Sequence, residues 1–143
     1  MSVIIAIICG CISSYLVWYV PARKIMPKIK CGGFIQRDNK RKIKVVNESK
    51  DYDAFDLICY LEYLDEKDNE VFTETSSIPL LEKSKEHYIK LKTLSFPPKP
   101  SKDGRPSLRA FVESNTKKIK ITITYQNKYG SRQSTSPEYL KYD

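Results

Sequence analysis

An all-β soluble domain, a β-sandwich first and a small barrel second, carried behind one N-terminal transmembrane α-helix, is the fold class that the sequence predicts. Three observations predict it. Ser2 to Val20 contains no charged side chain, and nineteen residues rising about 1.5 Å each span roughly 28 Å, which matches a bilayer core. After residue 30, apolar residues recur with period two in several short runs, the mark of half-buried strands. Turn-forming residues separate those runs about every ten positions, as in sandwiches and barrels. The chain therefore divides into a transmembrane helix (residues 1–21), a basic juxtamembrane linker (22–31) and one β-sandwich domain (32–143), since the remainder is too short for two cores.

Within the apolar stretch, Ser2, Ala6, Gly10 and Ser14 recur every four residues. This small-xxx-small stripe lets two helix backbones approach closely in lipid and makes a homo-oligomer the expected state. Tyr15, Trp18 and Tyr19 cluster at the other end, where aromatic rings sit at the headgroup level, and Pro21 is expected to end or bend the helix. A secretory signal is the competing reading, but the stretch has no positive n-region and no small-x-small cleavage site. Ile8-Cys9-Gly10-Cys11 loosely matches a lipoprotein cleavage box, and cutting there would strand an apolar remainder behind the lipid.

Formal charge is +8, and Arg23, Lys24, Lys28 and Lys30 supply four units of it before the first acid, leaving about +4 for the rest. Basic residues beside a span mark its cytoplasmic side. The expected location is thus the cell membrane, single-pass, with the C-terminal domain in the cytoplasm, Cys31 and Cys59 reduced, and the lysines beside lipid headgroups. A solvated tether is the alternative for this linker. With the opposite topology, Cys31 and Cys59 become a candidate disulfide and Asn47-Glu48-Ser49 a glycosylation sequon.

Cys31-Gly32-Gly33 marks the transition into the domain, Phe34-Ile35 its start, and Arg37 to Arg41 a charged turn. Lys42 to Asn47 alternates as a strand. Phe55, Leu57, Cys59, Leu61 and Tyr63 form an apolar row, while Ile58 and Leu64 interrupt the polar one and suggest a second covered face or a surface awaiting a partner. Asp65 to Asn69 is a turn, Glu70 to Thr73 returns, and Pro79 suits an edge or a strand end. His87 to Leu94 alternates again, and Leu81 to Lys90 is the only stretch after residue 30 where a turn or two of helix fits. Phe96 to Pro106 reads as a long loop, Leu108, Ala110 and Val112 as an inward strand row, and Ile119, Ile121, Ile123 and Tyr125 as the clearest strand of all. Asn127 to Gly130 turns the chain, and Tyr139, Leu140 and Tyr142 close a last edge.

Chemistry is sparse. His87 is the one histidine and has no cysteine pair beside it, so no zinc site of usual composition arises. Asp51, Asp53 and Asp56, and Asp65, Glu66 and Asp68, lack the spacing and glycine of a calcium loop. Phosphate-binding, nucleophile-elbow and zincin motifs are missing, so the expectation is no enzyme and no cofactor. Two basic groups remain: Arg37, Arg41, Lys42 and Lys44, with Lys40, and Lys118 and Lys120, with Lys117, Lys128 and Arg132. A shared face would bind anions such as lipid headgroups or a nucleotide; the alternative is the solvated exterior of two strands. Nucleic acid fits least, because aromatics are not interleaved with these charges.

KIKVVN, AFDLICYLEY, IPLL and the terminal KIKITITYQNKYGSRQSTSPEYLKYD resemble the immunoglobulin-like cytoplasmic domain of inward-rectifier potassium channels over residues 42–143. The resemblance implies an immunoglobulin-like sandwich that assembles around an axis beneath the membrane. It does not carry conduction, because the chain has neither a pore loop nor a second membrane helix. The architecture also resembles membrane-anchored β-barrel effectors of bacterial cyclic-oligonucleotide antiphage systems, which typically carry more than one span. The expected function is a non-enzymatic docking or sensing module with a membrane or cytoplasmic protein partner. The alternative, implied by the second resemblance, is a ligand-gated, membrane-disrupting antiviral effector.

Overall fold

The computed structural model describes residues 2–24, 26–37, 40–92, 103–105 and 107–141; within these, the side chains of Ser2, of residues 15–24 and of Gln36, Arg37 and Lys40 are left undescribed. In chain order the elements are α1 (Ser2–Lys24), β1 (Ile29–Arg37), β2 (Lys40–Asn47), β3 (Ala54–Leu64), β4 (Glu70–Leu81), β5 (Glu86–Lys90), α2 (Leu108–Asn115), β6 (Lys118–Gln126), β7 (Arg132–Ser134) and β8 (Glu138–Lys141). The strands form two antiparallel sheets. One is ordered β1-β2-β5; the other is β4-β3-β6, with β7 and β8 sharing the far edge of β6.

Both sheets turn apolar rows onto one core. Ile29, Cys31, Ile43, Val45, Ile89 and Leu91 come from the first side, and Leu57, Cys59, Leu61, Tyr63, Ile78, Ile119, Ile121 and Ile123 from the second. β6 alternates without a break, Ile119, Ile121, Ile123 and Tyr125 buried between half-buried neighbours, as its period of two requires. This two-sheet core is the mostly β architecture that the alternation predicts.

In β3 the expected row is shifted at one end. Asp56 has a positive φ of 46° and the pairing with β6 slips between Phe55 and Ile58, which is a bulge. Ala54 and Leu57 consequently point inward and Phe55 is only half-buried. A second slip at Tyr63/Leu64 buries Leu64 as well. The outer row is thus covered at that position.

Several expected boundaries move. α1 continues past Pro21 to Lys24, and β1 begins at Ile29, so most of the expected linker is helix or strand. Cys31-Gly32-Gly33 lies inside β1, where the register with β2 shifts; Gly33 has φ of 90° and a side chain at Gly32 would press on Lys44, so only glycine passes here without strain. β4 runs unbroken through Ile78-Pro79, with Pro79 exposed on the sheet edge, where its missing donor costs nothing. Leu81 to Lys90 is a strand end, a turn and β5, with no helix.

The expected strand at Leu108–Val112 is α2. Ser107 sits at its N-cap, its Oγ accepting from the Ala110 N–H at 3.2 Å, and Arg109 pairs with Glu113 one turn on at 3.0 Å. Val112 alone of its residues is buried. Replacing Ser107 with alanine should cost about 1 kcal/mol of stability, read as a lower urea midpoint with an unchanged slope. Of the expected long loop, only residues 103–105 are described, and Tyr142 lies outside the described residues.

Candidate functional site

α1 is unlike the rest of the molecule. Val3, Ile4, Ile5, Ile7, Ile8 and Ile12 are each more than half exposed; at about 100° per residue they spread over roughly 200° of the circumference, and Ala6, Cys9, Gly10 and Ser13 on the remaining arc are exposed as well. None belongs to the core. Of the small-residue stripe, Ala6, Gly10 and Ser14 are exposed, and a Cβ at Gly10 would meet nothing within 4 Å; the side chain of Ser2 lies outside the described residues. So do those of Tyr15, Trp18, Tyr19, Arg23 and Lys24. Among the described residues no helix is long and apolar enough to cross a membrane, the described side chains of α1 running only from Val3 to Ser14.

The two basic groups do not share a face. Lys42 and Lys44 alternate with the inward Ile43 and Val45 on β2, and Lys118 and Lys120 with the inward Ile119 and Ile121 on β6. They therefore stand on the outer faces of opposite sheets. Three of these four lysines are also matched by acids. Lys44 Nζ lies 2.7 Å from Glu86, whose hydrogen bond and charge hold the lysine above its ordinary pKa. Glu86 is held low by Lys44 and by the Tyr88 hydroxyl. Lys120 lies 3.0 Å from Glu62 and is likewise raised. Lys118 pairs with Asp68 and stands 5.4 Å from the Tyr139 ring. Lys28 and Lys30 both reach Glu48, at 3.6 and 3.9 Å. Arg41 is half-buried and engaged, and the Arg37 side chain lies outside the described residues.

Around Lys118 and Lys120 lies a shallow cleft of about 370 Å³, also lined by Glu62, Asp68, Glu70 and Tyr139. Three carboxylates and two ammonium groups meet there, so an anion finds no surplus of positive charge. Surface pairs of this kind contribute little each, about 0–1 kcal/mol. Asp65 closes the adjoining turn, accepting from the backbone of Lys67 and Asn69, which lowers its pKa. Because the folded value lies below the unfolded one, that turn is strengthened above the ordinary aspartate range and loosens as pH falls through the lowered value.

Sequence reasoning missed two buried polar centres. The first is Asn47, fully buried: its Nδ2 donates to the carbonyls of Tyr52 (2.9 Å) and Leu81 (3.0 Å), and its Oδ1 accepts from the Ser49 N–H at 3.0 Å. Ser49 in turn accepts from the Lys28 N–H through Oγ at 2.6 Å and from the Ser84 N–H through its carbonyl at 3.0 Å. The strand-ending Asn was visible in the sequence as a sequon, yet its amide is consumed by the fold. The second is Glu74, on the inward side of β4, which takes the Tyr63 hydroxyl on one oxygen and the Lys92 N–H at 3.1 Å on the other. Phenylalanine at Tyr63 would leave one carboxylate oxygen unmatched, at a cost of about 1.5–3 kcal/mol, again readable by urea unfolding.

The cysteines of the domain are buried and free, and those of α1 exposed. Burial pushes the Cys59 thiol up to about 12, with the charge of Cys31 adding to it, and burial raises Cys31 as well. Thiolate is the reactive form. At pH 8 a thiol reagent should therefore leave Cys59 unmodified in the folded chain and label it after denaturation. His87 is exposed, and among the described residues no group of three His, Cys, Asp or Glu side chains is placed to hold a metal ion. Compared with protein-family models, with curated proteins and with solved structures, the chain matches none.

Proposed function

We propose that the chain is a single-pass membrane protein whose cytoplasmic β-sandwich serves as a non-enzymatic docking or sensing module, assembled with further copies of itself through α1. One observation carries the reading: α1 has no charged side chain from Ser2 to Val20 and leaves every side chain from Val3 to Ser14 exposed, and an uncharged, largely apolar helix without cover in its own chain has lipid as its natural solvent. Arg23, Lys24, Lys28 and Lys30 set the orientation, because basic residues flanking a span are retained in the cytoplasm whatever acids lie nearby. The open backbone at Gly10 supports close approach of a second α1.

Alkaline carbonate washing of membranes from expressing cells tests the anchor. The chain should stay in the pellet, and release into the supernatant would reject it. Cys9 and Cys11 flank Gly10 and are exposed, so mild oxidation in the membrane should join copies through them. Gly10→Leu should abolish that product and leave the β domain folded; unchanged crosslinking would reject assembly through the stripe.

A further inference from the structure

The strand registers gather three loops at one pole of the sandwich. β1 begins at Ile29 opposite Asn47, β3 begins at Ala54 opposite Leu81, and β6 ends at Gln126 opposite Phe55. Residues 48–53, 82–85 and 127–131 therefore lie at the end where β1 starts. α1 stops at Lys24, and Met26 already packs against the core. One residue separates them, so this pole is the one nearest α1.

A pocket of about 180 Å³ opens at this pole, lined by Asp51, Tyr52, Asp53, Phe55 and Lys128. It is smaller than the roughly 300 Å³ at which drug-sized ligands begin to be enclosed, which suits a small group. Two aromatic residues and two carboxylates are a set that holds an alkylammonium, since ring faces and negative charge both attract it. Lys128 adds one positive charge to the lining, its Nζ standing 5.0 Å from the neighbouring Tyr129 ring. A lysine ammonium holds phosphate as a point charge. The pocket thus brings two carboxylates, two aromatic residues and one ammonium group together.

Its walls are fixed before any ligand arrives. The Tyr52 carbonyl is held by Asn47 Nδ2, Asp53 Oδ1 accepts from the Lys83 N–H at 2.8 Å, and Asn127 Oδ1 accepts from the N–H groups of Tyr129 and Ser131, each at 3.0 Å. Such preorganisation lowers the ordering cost of binding.

We propose that this pocket binds the zwitterionic headgroup of a phospholipid, the ammonium seated among Tyr52, Phe55 and the two aspartates and the phosphodiester at Lys128. The proposal rests on the membrane reading of α1, which brings this pole to the headgroup layer. The test uses the full chain. In nonionic detergent, glycerophosphocholine is titrated against it and followed by calorimetry, with choline chloride and inorganic phosphate as separate arms. In nanodiscs of phosphatidylcholine or of phosphatidylglycerol, amide exchange of residues 51–55 and 127–130 is compared. Glycerophosphocholine should bind more tightly than either fragment, and Tyr52→Ala or Asp51→Asn should weaken it about tenfold, the effect of losing one aromatic or charge contact to the cation. Both loops should be slower to exchange in phosphatidylcholine than in phosphatidylglycerol. No binding of the ester, binding that both variants leave unchanged, or equal exchange in the two lipids would overturn the proposal, the last with ester binding intact reassigning the pocket to a free solute. Carbonate resistance of the same variants separates this failure from failure of the anchor: a chain that stays in the pellet without binding the ester keeps the anchor and loses the pocket.

Discussion

Replacing Asn47 with alanine should cost the domain about 3–5 kcal/mol and leave much of it unfolded. The variant removes a side chain without exposure whose three hydrogen bonds satisfy the carbonyls of Tyr52 and Leu81 and the N–H of Ser49. Each buried group left unpaired costs about 1–3 kcal/mol, and the cavity adds to that. Domains of this size are stable by only about 5–15 kcal/mol. Aspartate is the sharper comparison: it keeps an acceptor for Ser49 but aims an oxygen at two carbonyls and buries a charge, so it should be no better than alanine. Urea unfolding of the full chain in detergent, followed by far-ultraviolet circular dichroism, reads both. A midpoint for Asn47→Ala within error of the parent would show that this corner does not hold β2, β4 and the loop before β3 together.

Placing arginine at both Ile8 and Ile12 should release the chain from membranes. An arginine near the middle of a spanning helix is disfavoured by about 2.5–3.5 kcal/mol, where isoleucine is mildly favoured, so the pair shifts insertion by roughly 6–8 kcal/mol. Both positions are exposed and outside the core, and the β domain should keep its circular dichroism. Leucine at the same two positions should change nothing. A doubly arginine-substituted chain that still resists carbonate would mean that something other than α1 holds it to the bilayer.

How far the sequence alone could be read follows from which forces act locally. β6 was legible because every second residue is β-branched or aromatic and nothing interrupts the alternation. β3 was legible in its middle and not at its ends, because a bulge depends on one aspartate taking a left-handed conformation, which no periodicity reveals. α2 was misread since an eight-residue helix offers one buried position, Val112, too few to display a helical period; the clue was Ser107 before Leu108-Arg109-Ala110 and the Arg109–Glu113 spacing. The basic residues were legible as an outward row, but their acidic partners come from elsewhere in the fold, Glu62 and Glu86 from other strands and Asp68 from the turn between β3 and β4. Asn47 and Glu74 are tertiary centres. Their partners lie up to 34 residues away, and only the fold brings them together.

The register of β1 has a mechanical consequence. Its first residue, Ile29, pairs with the last of β2, and the pairing runs on to Arg37 opposite Lys40, while α1 leaves from the Ile29 end. A tug between α1 and anything gripping the opposite end of the sandwich, where Lys118 and Tyr139 stand, runs lengthwise along this ladder and loads its hydrogen bonds in parallel. A sideways tug at Met26 would peel the same bonds one at a time. The attachment therefore resists traction along the strands far better than across them.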